Sequence, residues 1–180
     1  MASEETEGVG RRAGTVEFEQ YVAARGQALL RLAYVLTGDA HDAEDLTQAA
    51  LYDVLRHWRR VARAGHPDAY VRRVVVNRYL SGRRRRASAE VVLGDVEPLS
   101  TAATPDPAVG VVARDEVRRA LSRLAPRARA VLVLRYYADL DDAAIADTLG
   151  IAPGTVRATA SRALASLRDV LATPTQPEDV

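Results

Sequence analysis

The chain of 180 residues has no cysteine, which excludes disulfides and thiolate metal sites. It has no lysine, so all 25 basic residues are arginine. Arginine favours bidentate phosphate contacts and stacking on bases, although a GC-rich genome produces the same bias without any contact. Phe and Trp occur once each, so a core has to come mainly from Ala, Val and Leu, which suits closely approaching helices. No apolar run nears the roughly 20 residues needed to cross a bilayer. The first residues are acidic and polar, unlike a secretory signal, and the expected location is the cytoplasm. The three histidines, His41, His57 and His66, have no cysteine to join them in a metal site. There is no metal-spaced carboxylate cluster, no glycine-rich phosphate loop and no serine in a nucleophile context. Neither a catalytic centre nor a cofactor is expected.

What is present is charge in blocks. The net charge is only +1, but from Asp39 to Asp53 there are five acids and no arginine. From Arg56 to Arg86 there are eleven arginines against one acid, Asp68. From Ala87 to Val112 there are four acids and no base. A near-neutral total conceals three polarised segments.

Hydrophobic spacing predicts an all-α fold of two small helical domains joined by a flexible linker. Residues 1–14 read as a disordered tail, being charged and glycine-containing with little to bury. Phe18, Val22, Leu29, Leu32 and Leu36 mark a first amphipathic helix. Thr37 and Gly38 end it, and Asp42 is placed to cap the next, whose apolar face is Leu46, Ala50, Val54 and Trp58. Pro67 opens a third helix, running from about Asp68 to Arg84. These make a first module over 15–86. Residues 87–112 hold three prolines and two glycines, and a loop of that length is improbable inside one domain, so they read as a linker. A second module spans 113–172, with helices around Val117–Leu124, Ala128–Tyr137, Asp142–Leu149 and onward to Leu171. Residues 173–180 read as a tail.

The stretch DAAIADTLGIAPGTVRATAS, Asp142 to Ser161, has the pattern of a helix-turn-helix. Ala146 is the small residue where two helices cross, Gly150 the turn glycine, and Ile145, Leu149, Ile151 and Val156 the inner faces. Pro153 or Gly154 opens a second helix whose first turns carry Thr155, Arg157, Ala158, Ser161 and Arg162. Such a helix fits a major groove. A plain αα-hairpin is the alternative. Arg127, Arg129 and Arg135 lie upstream, either as phosphate contacts or as a solvated helix face.

The arginine block predicts attraction to a polyanion. Tyr70, Asn77 and Tyr79 among those arginines fit stacking on or bonding to unpaired bases. For Val74, Val75 and Tyr79, burial in the core is the preferred reading. The acidic block lacks the alternate-residue spacing of a calcium loop. Its carboxylates are either helix N-terminal charges or a surface for a basic protein.

DAEDLTQAAL, DAYVRRVVVNRYLSGRRRR and LAPRARAVLVLRYYADLDDAAIADTLGIAPGTVRATASRALASLR together resemble a bacterial RNA polymerase sigma factor. The type is the extracytoplasmic-function class, similar to the actinobacterial SigE-like group, over residues 16–171. The resemblance implies that Asp42, Glu44, Asp45, Leu46 and Gln48 dock on the β′ clamp of core polymerase. It implies that Arg63, His66, Asp68, Tyr70, Arg72, Arg73, Asn77 and Arg78 engage and help melt the −10 element. It implies −35 contacts from Arg127, Arg129, Thr155, Arg157, Ser161 and Arg162, a β-flap contact from the second module, a linker along the RNA exit path, and possible control by an anti-sigma factor. Three departures from the pattern stand out. Ala49 stands where the family has an acid, Gly82 replaces a tryptophan frequent in the SigE-like group, and Ala158 and Ala160 shorten the reader helix's reach. The implied function is an alternative sigma factor. The runner-up is a helix-turn-helix regulator that binds duplex DNA without polymerase and would need neither the acidic helix nor the base-poor linker.

Overall fold

The computed structural model describes residues 2–93 and 111–172, with side chains placed over 14–88 and 116–172. Among these the chain forms seven α-helices, one π-helical turn and no strand. The first module holds α1 (Ala2–Thr37), α2 (Ala40–Arg63) and α3 (Pro67–Leu93). The second holds α4 (Val111–Ser122), α5 (Pro126–Leu132), α6 (Asp142–Leu149) and α7 (Pro153–Ala172), with the π-turn at Val133–Tyr137 after α5.

The first three helices form because each has one apolar stripe with no place in water. Leu29, Leu32, Ala33 and Leu36 of α1 are buried against Ala43, Ala50, Val54, Trp58 and Val61 of α2 and Val71, Val75, Val76 and Tyr79 of α3. The spacings of three, four and seven are those of a single helix face. Trp58 anchors one end, with Phe18 edge-on at a centroid distance of 5.3 Å and Tyr21 tilted at 5.0 Å. Tyr79 is core, as its position among the valines predicts.

Where α1 stops, the Thr37 hydroxyl donates to the Ala33 carbonyl at 2.9 Å and Gly38 takes φ 79°. The cap of α2 differs from the sequence expectation. Asp39, not Asp42, is the N-cap: its backbone is extended and its Oδ1 accepts from the Asp42 amide at 2.9 Å. The chain resumes helix at once after the glycine, so the capping oxygen has to come from the first residue past it. Asp42 sits inside the first turn.

Two boundaries also lie outside the expected ones. From Ala2 onward, the segment read as a tail is helical. Once α1 is nucleated by packing, each further residue adds a hydrogen bond at little entropic cost. The same propagation carries α3 past Arg86 to Leu93, into the segment read as linker, whose residues 94–110 lie outside the described ones, as do 173–180.

In the second module Asp141 caps α6, accepting from the Ala144 amide at 2.7 Å. Gly150 ends α6 at φ 64°, a left-handed conformation that a Cβ disfavours. Pro153 opens α7. The expected helix from Ala128 to Tyr137 is α5 followed by the wider π-turn, closed by the Ala138 amide on the Val133 carbonyl at 3.0 Å. Asp139 then takes φ 51°.

The modules pack directly on each other, and their apolar residues form one continuous core. The Arg129 guanidinium, 3% exposed, donates to the Leu36 carbonyl at 2.9 Å. Arg118 donates to the Gly38 carbonyl, also at 2.9 Å. Arg73 of α3 donates to Asp147 of α6.

Gly82 lies inside α3, and a Cβ built there meets nothing within 4 Å. Gly82→Ala is expected to stabilise the protein by about 0.5–1 kcal/mol, because glycine forfeits that much to backbone entropy inside a helix. Urea unfolding followed by circular dichroism measures it.

Candidate nucleic-acid interface

Three surfaces carry the charge blocks. The first is the N-terminal half of α2. Glu44, Asp45 and Gln48 are exposed, and Leu46 is half-buried with its apolar side against the core. Asp42 is different. Its two oxygens receive Arg86 Nη1 and Nη2, each at 2.9 Å. A bidentate guanidinium pair of this kind is the strongest form of exposed ion pair. Tyr52 and Leu55 continue the exposed face beyond Gln48.

The second surface is the loop 64–66 and α3. Arg63 and His66 are exposed, while Asp68 and Tyr70 are half-buried, with Asp68 3.1 Å from Arg25. Asn77 is exposed. Arg72, Arg73 and Arg78 are half-buried. Arg78 Nε meets Asp53 Oδ2 at 2.6 Å, and Arg73 Nη2 meets Asp147 Oδ1 at 2.9 Å. The aromatic of this helix that faces solvent in part is Tyr70, whereas Tyr79 is enclosed. Burial pushes the Tyr79 hydroxyl above its ordinary pKa.

The third surface is the start of α7. Thr155, Arg157, Ser161 and Arg162 are exposed along one side, and Val156, Ala160 and Ala163 are buried on the other. Asp142 lies 3.7 Å from Arg157 and also receives Arg135. Arg127 is exposed. Arg129 is enclosed between the modules and has no path to a phosphate in this arrangement. A sequence cannot separate these two, since they differ by two positions on a seven-residue helix that is covered on one side only.

The structure also groups Arg63, an expected −10 contact, with three arginines that the sequence reading assigned no site. Arg56, Arg59, Arg60 and Arg63 are all exposed and follow i, i+3, i+4, i+7 on α2. They therefore form one ridge along its last two turns. Among the described residues none of them makes a direct ion pair like those of Arg73, Arg78, Arg86 and Arg157, although Arg56 lies close enough to lower the pKa of Asp53. The spacing was readable in the sequence, but only within the undivided block from Arg56 to Arg86. No group of His, Asp and Glu among the described residues is placed to hold a metal. None of the described helices is long and apolar enough to cross a membrane.

The chain was compared with known proteins. Residues 21–89 match the family described as sigma-70 region 2, and residues 114–167 match sigma-70 region 4. The chain is 39% identical over 156 residues to the RNA polymerase sigma-E factor of Streptomyces avermitilis, covering 87% of this chain and 86% of that protein. It belongs to the RNA polymerase sigma factors. The extracytoplasmic-function sigma factor SigL of Mycobacterium tuberculosis is 33% identical over 142 residues, 78% of this chain and 80% of the relative. In fold, the chain resembles the sigma factor RpoE solved with the anti-sigma factor NepR from Bartonella quintana. That likeness has a TM-score of 0.68 at 23% identity, over 88% of this chain and 99% of the other. A second, CnrH in complex with the cytosolic domain of CnrY, has a TM-score of 0.59.

The sigma factor is thus an alternative initiation factor that binds core polymerase and promoter DNA. Region 2 covers α2 and α3 with their acid face and arginines, and region 4 covers the helix-turn-helix. Its Asp42 carboxyl is held below the usual carboxylate range chiefly by the Arg86 hydrogen bonds, with burial opposing. Arg78 does the same for Asp53. Both groups bind protons more weakly when folded, so the stability they add is complete above about pH 4, the ordinary aspartate value, and is lost as pH falls through their depressed pKa values. Asp42→Asn is expected to lower stability at pH 7 by about 0.5–1 kcal/mol. The gap from the parent protein closes in acid. Urea midpoints between pH 7 and pH 2.5 check it, and a gap that persists at the acid end contradicts it.

Proposed function

We propose that the sigma factor divides its contacts among the three surfaces as the charge blocks divide them. The exposed acids of α2, Glu44 and Asp45, with Leu46 and Gln48, form the face that meets core polymerase at the β′ clamp. Asp42 belongs to the same turn but serves it indirectly. Its carboxylate is engaged by Arg86, so it fixes the end of α2 to α3 and adds negative field to the face. Ala49 leaves no acid after Gln48, so the exposed Tyr52 supplies apolar area further along.

The loop before α3 and α3 itself, through Arg63, His66, Asp68, Tyr70, Arg72, Arg73, Asn77 and Arg78, take the −10 strand. Arginines hold phosphates, while Tyr70 and Asn77 meet unstacked bases. Binding energy for those bases offsets an unstacking cost of a few kcal/mol per step. Thr155, Arg157, Ser161 and Arg162 of α7, with Arg127, take the −35 duplex. Arg129, enclosed between the modules, is left out of the −35 contacts. Ala158 is exposed with no reach, so Arg157, Ser161 and Arg162 carry the base contacts. The observation that carries this reading is the segregation itself. Exposed acids occupy one end of α2, while arginines fill its other end and α3.

Glu44→Arg with Asp45→Arg is the test. Core binding by pull-down is expected to fall at least about tenfold, the scale of reversing two interface charges. Binding of the same variant to an isolated −35 duplex should not change. Equal loss of both sinks the division of labour, and unaltered core binding removes the acid face from it.

The ridge of Arg56, Arg59, Arg60 and Arg63 adds a phosphate track beside the −10 site. Replacing Arg56, Arg59 and Arg60 by glutamine should flatten the plot of log affinity against log salt by about 0.9 per lost duplex contact. A slope like that of the parent protein places the ridge off the DNA.

A further inference from the structure

We infer that Asp142 of α6 is a positioning residue for −35 recognition: its carboxylate sets the direction of Arg157 on α7, and the base choice made through that arginine depends on it. The inference rests on the reading of α7 as the −35 element. It goes further, since Asp142 is not among the residues read as touching DNA.

The carboxylate stands between two guanidiniums from different elements. Its Oδ1 receives Arg135 Nη2, from the π-turn. Its Oδ2 lies 3.7 Å from Arg157 Nη1, in the first turns of α7. The side chains of Arg135 and Asp142 are 25% and 26% exposed, whereas that of Arg157 is 67% exposed. The inner pair is sheltered, and the outer arginine extends from it into solvent. Arg135 fixes one oxygen, so the other keeps a constant place from which to attract Arg157. The backbone is equally well held. Asp142 is the first residue of α6, directly after the cap Asp141, which accepts from the Ala144 amide at 2.7 Å.

The fold itself has little use for this carboxylate. A negative charge in the first turn favours the helix dipole, but Asp141 already supplies one there. Part-exposed ion pairs add little to stability. The reader helix does have a use for it. An arginine loses much rotamer freedom when it makes a two-pronged base contact. Arg162 is ordered from within α7, its Nε donating to the Ala158 carbonyl at 3.2 Å. Among the described residues Arg157 has no such bond, and Asp142 is the charge that orders it. With Nη1 turned to Asp142, the Nε and Nη2 edge stays open. Two parallel N–H donors on one edge match O6 and N7 of a guanine in the major groove. An arginine already aimed pays less of its freedom on contact.

The test uses the full-length protein bound to core polymerase. Promoter DNA with a randomised −35 region is selected on the parent protein, and affinities are then measured for each single base-pair change. Arg157→Ala should lose discrimination at one base pair by about tenfold or more, the scale of one bidentate base contact. Asp142→Asn should lower discrimination at that same pair by at least about threefold, part of that contact, and leave the other pairs as they were. Asp142→Glu, which keeps the charge, should recover part of the loss. Asp142→Asn added to Arg157→Ala should change nothing further, because the pair acts as a unit. A merely structural role would weaken every sequence alike and leave the ratios unmoved. Unaltered ratios in Asp142→Asn, or the same loss with and without Arg157, overturn the inference. Tighter binding of Asp142→Asn to every duplex also overturns it, by making the carboxylate a competitor of DNA. An Arg157→Ala protein whose ratios all match the parent's instead removes Arg157 from the −35 contacts, and the inference falls with that reading.

Discussion

The arrangement of the whole chain turns on one buried guanidinium. Arg129 is always charged at any ordinary pH, yet it is enclosed where α5 meets the end of α1. It has one carbonyl acceptor at Leu36, and its Nε has none among the described residues. Burial lowers its pKa, which is the signature of a charge that would rather be in water. The apolar surface around it holds it there, since Leu36, Val131 and Leu134 are fully buried nearby in the same core. The junction is therefore a balance of two opposed terms. Shared apolar area closes it, and a half-satisfied charge resists closure. A junction sealed by leucine alone would be harder to part.

The same balance recurs at the surface in milder form. Arg73, Arg78, Arg86 and Arg157 each meet an aspartate of the chain itself. Exposed pairs of this sort contribute little, about 0–1 kcal/mol. A strand bearing several phosphates can replace them at small loss, while its released counterions favour the exchange. The pairs keep the arginines ordered without holding them tightly. Among the described residues Arg56, Arg59, Arg60 and Arg63 make no such direct pair, which leaves their charge the more available to a polyanion.

What the sequence revealed follows from which forces act locally. The stripes of α1, α2 and α3, the turn at Gly150, the start of α7 at Pro153 and the burial of Tyr79 were all legible. Each depends on side-chain spacing or on one backbone conformation. The cap of α2 was misplaced by three residues, because Asp39 and Asp42 are both acceptable capping residues and only the path of the chain after Gly38 decides between them. The extra turns of α3 to Leu93 escaped notice because Ala87 and Ser88, just past the arginines, are exposed and the helix continues there by propagation. The fate of Arg129 was out of reach. Periodicity identifies the inner face of a helix within its module, but it does not tell whether a second module covers the rest. For the candidate site, Glu44 is exposed and, among the described residues, Asp45 meets only His41, at 3.7 Å on its own helix face, whereas Asp42, Arg73 and Arg78 are engaged across elements. Pairing across 44, 74 and 25 positions leaves no mark in local sequence.

The junction bonds differ in kind, and that difference orders its opening. Arg73–Asp147 lies in solvent and is screened within about 8–10 Å at physiological salt, so it exchanges readily and sets which faces meet first. The Arg129 bond lies in the core and breaks only when apolar area is exposed with it, at roughly 25 cal/mol for each Å². A ligand that captures only Arg73 therefore removes the outer contact and leaves the modules together. Full separation requires a partner that also covers the apolar surface left behind by α5. DNA, polar and phosphate-lined, is poorly suited to that second task, whereas a protein surface is well suited. The Arg73 contact is thus the one a polyanion can take, and the buried junction is one that only an apolar surface can replace.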